Sequence, residues 1–256
     1  MKEKLYTIPL LDALAADEEC PFCHLERSLE QEALDFVLGS SSSYMESDVR
    51  NTTDAAGFCR NHFKKMFEYG NALGNAWILK THYMKTVKEM TAVVNAAKTQ
   101  DSTPSGGLFS GKKAATEKDH PVAAWCRLRE NSCYICGRVE TERERYLDTF
   151  FILCLRDPDF WKKVLESKGF CLSHFGMLCE YACLHLKGRQ KAALLPPLYD
   201  LMEANMARLQ EDVNWFIEKF DYRNKDADWK QSRDALQRGM QKLKGGYPAD
   251  PAYKSS

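Results

Sequence analysis

This sequence is defined first by what it lacks. No apolar run approaches the roughly 18 residues that a membrane-spanning helix requires. No charge of one sign dominates: 36 acidic residues face 36 basic ones, so no strongly basic nucleic-acid surface is implied. No Gly-rich phosphate loop, nucleophile elbow or metalloprotease motif occurs. The period-two alternation of half-buried strands is scarce. The N-terminus, MKEKLYTIPLLDALAADEECPF, has one short apolar stretch followed by acidic residues, and it shows no small-residue cleavage site. A cytoplasmic protein with no membrane association is expected.

Cysteine, by contrast, is abundant: 10 in 256 residues. In a reducing compartment these should not form a disulfide framework, and cytosolic Cys grouped with His points to metal or redox chemistry. The cysteines are patterned. The pair Cys20 and Cys23 recurs 113 positions later as Cys133 and Cys136. GFCRNHF, with Cys59 and His62, recurs 112 positions later as GFCLSHF, with Cys171 and His174. The spacer from pair to pair is 35 residues in the first half and 34 in the second, which indicates a duplicated module. Outside the motifs the likeness is thin, although Leu34-Asp35 aligns with Leu147-Asp148.

Thr99–Asp119 is rich in Gly, Ser, Thr and Pro and reads as a flexible linker. The expected organisation is a first metal-pinned helical module over 1–98, the linker over 99–119, and a second module with C-terminal helices over 120–256. Helical stripes follow each motif: Leu25, Leu29, Ala33, Phe36 and Val37 after the first, Phe175, Leu178, Cys179, Ala182 and Leu186 after the last. Gly188 and Pro196-Pro197 should interrupt that last stripe. Further helices are expected over Leu198–Phe220 and Trp229–Leu243. The fold class is all-α: two pseudo-repeated helical modules packed as bundles, each with a Cys3His metal site at helix N-termini.

Each half offers three Cys and one His, an ordinary tetrahedral set for structural zinc. Cys-x-x-Cys presents two thiolates from one turn, and Cys-x-x-His does the same in the first turn of a helix. A helix N-terminus also favours thiolate over thiol. The candidate ligands are Cys20, Cys23, Cys59 and His62 for one ion, and Cys133, Cys136, Cys171 and His174 for a second. Gly57 and Gly169 would permit a tight turn into the second pair, and Phe58 and Phe170 would shield the sites from water. Four protein ligands leave no open position, which argues against a zinc hydrolase, and no catalytic residue is assigned.

Alternatives stand beside zinc. Less favoured are the same residues as buried Cys and His of a helical core, as a redox dithiol, or as ligands of an iron–sulfur cluster, in which His sometimes replaces Cys. CPFCH, Cys20–His24, matches the c-type haem pattern, but haem attachment needs export, and Gly137 stands where a second His would be. CPFC also resembles a thioredoxin motif, without the βαβ context. Cys126, Cys154, Cys179 and Cys183 are expected to be small buried hydrophobes. His82, His120 and His185 read as surface or satisfied core residues. In FDYRNKDADWKQSRDAL the aromatics should pack on neighbouring helices, with Arg223 and Asn224 facing a cleft as the rival reading.

Taken together, YTIPLLDAL…ECPFC, YMESDVRNTTDAAGFCRNH, CYIC…GFCLSH and FDYRN resemble an uncharacterised bacterial family, domain of unknown function 6062. The resemblance runs from Tyr6 to Leu243, leaving out the linker. It implies a cytoplasmic location and doubled Cys/His motifs, and it brings no assigned activity. The protein is expected to be a zinc-binding module of binding or regulatory type. Its partner would be an unidentified protein or small molecule. A redox-responsive, iron–sulfur or metal-handling role is the alternative.

Overall fold

A computed structural model describes residues 2–40, 44, 46–101 and 120–254. The chain runs through α1 (Lys2–Ala15), α2 (Pro21–Leu38), α3 (Ser47–Ala56), α4 (Arg60–Tyr69), α5 (Ala72–Asp101), α6 (Pro121–Glu130), α7 (Tyr134–Arg156), α8 (Pro158–Glu166), α9 (Leu172–His185), α10 (Gly188–Glu218) and α11 (Ala235–Lys244). Among the described residues there is no strand, so the protein is all-α as expected. The expected linker begins inside α5, whose last residues are Thr99 to Asp101; the rest of it lies outside the described residues. No described helix is long and apolar enough to cross a membrane.

Two compact units emerge, and each draws on both halves of the sequence. One comprises Met1–Leu29 with Glu140–Pro251, the other Glu30–Val139 with Ala252–Ser256. The division therefore falls inside α2 and inside α7.

The first unit is built on aromatic packing. Phe22, Phe150, Phe160 and Phe170 are each at most 1% exposed. Their rings meet mostly edge to face, at 5.6 Å for Phe22–Phe150 and 5.8 Å for Phe150–Phe160. Burying one such side chain contributes about 1.5–3 kcal/mol, so truncating Phe150, which touches all the others, would open the core. α8 is set locally. Asp157 caps it by accepting from the backbone N–H groups of Asp159 and Phe160, both at 3.0 Å, and Pro158 occupies the first turn. The second unit packs α3, α4 and α6 on α5, with Leu34, Leu38, Met66 and Ile78 buried.

Two helix boundaries correct the sequence reading. Pro196 and Pro197 do not interrupt the chain; both lie inside α10. The carbonyls they leave without an intrahelical donor belong to Ala192 and Ala193, which are exposed to solvent. Leu194, Leu195, Leu198, Leu201 and Met202 are buried on the other face and hold the helix through the break in its ladder. The last helix starts at Ala235 and not at Trp229, because Lys230 adopts φ +51° and Ser232 is tied back to Trp229. In the preceding segment Phe216, Phe220 and Trp229 pack together, while Arg223 is paired with the exposed side of Asp221. The Lys219 ammonium folds this turn by donating to the carbonyls of Asn224, Lys225 and Ala227.

Candidate metal centres

All four ligand pairs stand where helices begin. Cys20 and Cys133 immediately precede α2 and α7, and Cys59 and Cys171 are the N-caps of α4 and α9. The second member of each pair lies in the first turn. Gly57 and Gly169 turn the chain into α4 and α9 with φ +64° and +75°, a conformation that glycine adopts without steric cost. Any Cβ at Gly57 would come within 2.9 Å of the His82 ring. Phe58 and Phe170 are buried.

The eight residues gather into two groups of four, but the partners are crossed. Cys20 and Cys23 meet Cys171 and His174, while Cys59 and His62 meet Cys133 and Cys136. The expectation that each half completes its own site is thus corrected: each cluster takes its Cys-x-x-Cys from one half and its Cys-x-x-His from the other. The helices that separate the two pairs of each half differ in length. α2 has 18 residues and carries the chain about 27 Å from its N-terminal cysteines, whereas the 10 residues of α3 span only about 15 Å. α7, with 23 residues, runs about 35 Å, and the 9 of α8 span about 14 Å.

Within each cluster the ligand atoms all lie within 4.8 Å of one another. In the first unit His174 Nδ1 is 3.3, 3.6 and 3.1 Å from the sulfurs of Cys20, Cys23 and Cys171, and Cys23 Sγ is 3.8 Å from Cys171 Sγ. In the second unit His62 Nδ1 is 3.2, 3.2 and 3.4 Å from Cys59, Cys133 and Cys136, and Cys59 Sγ is 3.9 Å from Cys136 Sγ. A tetrahedral zinc with ordinary bond lengths would set sulfur–sulfur edges of about 3.8 Å and sulfur–nitrogen edges of about 3.5 Å. The donor sets fit such an ion.

The other ring nitrogen of each histidine faces a glutamate. His174 Nε2 is 3.0 Å from Glu26 Oε1, and His62 Nε2 is 3.2 Å from Glu30 Oε1. With a metal bound, a carboxylate there would keep the proton on Nε2 and leave Nδ1 free to coordinate, the usual outer partner of a metal-bound imidazole. Both glutamates lie on α2, one turn apart. Glu26 also receives Arg143, and Glu30 receives Lys65 and Tyr253.

The charges of the ligand side chains are mutually tuned. Burial opposes protonation of His62, but the Cys133 sulfur and Glu30 outweigh it and raise the ring to about 10. His174 is raised to about 12 against burial by Cys171, Cys20 and Glu26. Burial likewise opposes ionisation of Cys133, yet the hydrogen bond with His62 lowers its thiol to about 6. Burial, then repulsion from Cys133, pushes Cys136 up to about 12. Hydrogen bonds from Cys20 and Cys23 hold Cys171 well below the ordinary thiol range, and the same network raises Cys23. A metal entering either cluster therefore displaces protons.

The surroundings differ. In the first unit all four ligands are buried, with Cys20 and Cys171 at 0% exposure. Gly246 N–H donates to Cys23 Sγ at 3.4 Å, and Gly245 passes close to both Cys171 and Cys23. Beneath lies a buried ionic group that the sequence did not reveal. Lys242, 1% exposed, donates to the backbone carbonyls of Glu19 and Lys168 at 2.7 and 2.5 Å. These carbonyls belong to the loops leading into Cys20 and Cys171, so one ammonium ties both ligand loops. The Glu19 carboxylate completes the group with Arg208 at 2.6 Å, Lys242 at 3.0 Å and Arg238 at 3.2 Å. Burial works against the Glu19 charge, but these cations hold its carboxyl below the usual range; burial pushes Lys242 below its own.

The second cluster is held by a different set of bonds: Arg129, paired with Glu89, donates to the Ala55 carbonyl at 2.6 Å. Tyr134 N–H donates to Gly57 O at 2.9 Å, and Ser132 Oγ to Ala56 O at 2.6 Å. His62 is buried, Cys59 and Cys133 are half-buried, and Cys136 is exposed.

The remaining cysteines belong to neither cluster. Cys154 is buried as expected, but Cys126 and Cys183 are exposed and Cys179 half-buried, because their helix faces meet solvent. His82 is 3.2 Å from the Asp54 carbonyl, and His185 stacks on Tyr181 at 4.3 Å.

Fold and site together define an all-helical protein with two Cys3His clusters of metal-ligand geometry. The chain belongs to a family of unknown function (DUF6062), which matches residues 1–250. No curated protein and no solved structure matches it.

Proposed function

We propose that the protein is a cytoplasmic zinc-binding module in which two ions fasten helix N-termini, with a binding or regulatory role toward a protein or small-molecule partner. The observation that carries the reading is the convergence of three sulfurs on one imidazole Nδ1 in each cluster, with Nε2 held by a carboxylate. That all four ligand atoms of each cluster lie within 4.8 Å of one another supports a single ion over an iron–sulfur cluster, in which ligands on different irons stand farther apart. Four protein ligands per ion support a structural role over a catalytic one. All ten cysteines are free, which supports a reducing compartment. The crossed pairing also supports descent from a duplicated module whose halves exchanged partners.

Anaerobic purification, elemental analysis and an absorption spectrum test the proposal together. Two equivalents of zinc and a colourless protein are expected. Iron with inorganic sulfide and visible absorption would replace zinc by clusters, and a folded protein without metal would overturn the reading.

A further inference from the structure

We infer that Cys136 is an oxidation site: its sulfur attacks hydrogen peroxide, and closure of a disulfide within the second cluster expels its metal while the first cluster keeps its own. The inference rests on the metal reading above and deepens it.

The two clusters share one donor set, so chemistry alone does not separate them; access does. Cys136 is exposed, and Cys59 and Cys133 are half-buried. In the first cluster Cys20, Cys23 and Cys171 are buried, Gly245 lies over two of the sulfurs, and Phe22 packs against His174 at 5.6 Å. Thiol oxidation follows thiolate character and exposure, and a metal-bound sulfur is a thiolate in both clusters. An attacking oxidant reaches only the second.

The steps balance. The Cys136 thiolate attacks one peroxide oxygen, forming an S–O bond as the O–O bond breaks; the departing hydroxide takes a proton and leaves as water. The resulting sulfenic acid is attacked by a neighbouring thiolate of the same cluster. Cys59 Sγ stands 3.9 Å away, and Cys133 is three residues from Cys136 across the same turn. The S–S bond forms, the S–O bond breaks, and the second oxygen leaves as water with another proton. Two thiolates are oxidised by two electrons in all, and one hydrogen peroxide is reduced to two waters. Having lost two anionic donors, the divalent ion departs.

The test uses the metal-loaded full chain. Hydrogen peroxide is added in the presence of a chromophoric zinc chelator, and the oxidised protein is alkylated and mapped by peptide mass spectrometry. One equivalent per chain should leave at least about tenfold faster than the second, with a disulfide that includes Cys136. Reductant and added zinc should restore it. Oxidation of the exposed Cys126 or Cys183 releases no metal, and the peptide map separates it. Loss of both ions at one rate, loss of the first ion with a disulfide among Cys20, Cys23 and Cys171, or release without modification of Cys136 would each overturn the inference. A protein that holds no zinc before peroxide is added defeats the metal reading instead, so the two failures are distinct.

Discussion

The two clusters are alike in their ligands and unlike in what encloses them. In the first unit the ligand loops are clamped from below by a buried ammonium and its carboxylate, and a diglycine backbone covers the sulfurs. In the second unit the loops are held by backbone and hydroxyl hydrogen bonds and by the half-buried Arg129 guanidinium, which is paired with Glu89 and donates to the Ala55 carbonyl, and one sulfur meets solvent. Coordination chemistry is therefore only half of a metal site. The rest is the shell that decides how firmly the loops are held and what reaches the sulfurs.

The largest effects belong to the ligands, because structural zinc contributes on the order of 10 kcal/mol to folding in small metal-dependent domains. Paired substitutions break the comparison cleanly. Cys20→Ser with Cys171→Ser should remove one equivalent of zinc, since both serve the same ion. Cys20→Ser with Cys59→Ser should remove both. Elemental analysis of the two double variants reads the outcome directly, and the reverse pattern would restore the within-half pairing that the crossed geometry displaces.

Next in size is the clamp of the first unit. Lys242→Met removes the ammonium that bridges the Glu19 and Lys168 carbonyls and leaves a buried carboxylate with fewer partners. Breaking a buried charged group in this way costs about 3–5 kcal/mol. Ser132→Ala, which cuts the bond from Ser132 to the Ala56 carbonyl in the second unit, should cost about 1 kcal/mol. Urea titrations of both variants, zinc retained, measure the difference. Equal losses would mean that the buried ammonium holds the first site no more firmly than one hydroxyl hydrogen bond holds the second.

The sequence made the ligands legible because their spacing is local: three residues apart at a helix start, twice over, with a glycine needing positive φ before each Cys-x-x-His. It made the all-α class legible through the stripes. The pairing was hidden, because motif spacing along the chain does not encode the direction in which the intervening helices run. Glu19, Arg208, Arg238 and Lys242 were hidden for another reason. Charges spread from residue 19 to residue 242 look like ordinary surface until the fold buries them together. Glu26 and Glu30 carried a fainter signal, acidic residues on the helix that follows the first cysteines. The diproline inside α10 misled because local propensity was weighed without the five buried side chains that override it.

The outer glutamates offer a subtler comparison. Glu26→Gln and Glu30→Gln each keep a hydrogen-bonding side chain but remove the charge that orients His174 or His62. Loss of such a partner weakens metal affinity about 10–100-fold. Chelator competition should show the drop for one ion only in each variant. In Glu30→Gln the affected ion should be the one that peroxide discharges; the same ion weakening in both variants would contradict the assignment of one glutamate to each cluster.

The smallest effect concerns the cover. Gly245 sits at φ +79° and ψ 168°, a region that side chains rarely enter, and an added Cβ would stand 3.5 and 3.6 Å from Cys171 and Cys23 Sγ. Those distances are ordinary contacts, so the cost of Gly245→Ala is conformational, about 1–2 kcal/mol. Gly70, which ends α4 at φ +91° with open space around it, provides the matched control at about 1 kcal/mol. The stability losses alone would be too close to interpret. The discriminating readout is zinc release to a chelator: Gly245→Ala should speed loss of the buried ion by shifting the Gly246 N–H away from Cys23, and Gly70→Ala should leave that rate unchanged. If both variants release the buried ion at the wild-type rate, the diglycine turn covers the sulfurs without holding them.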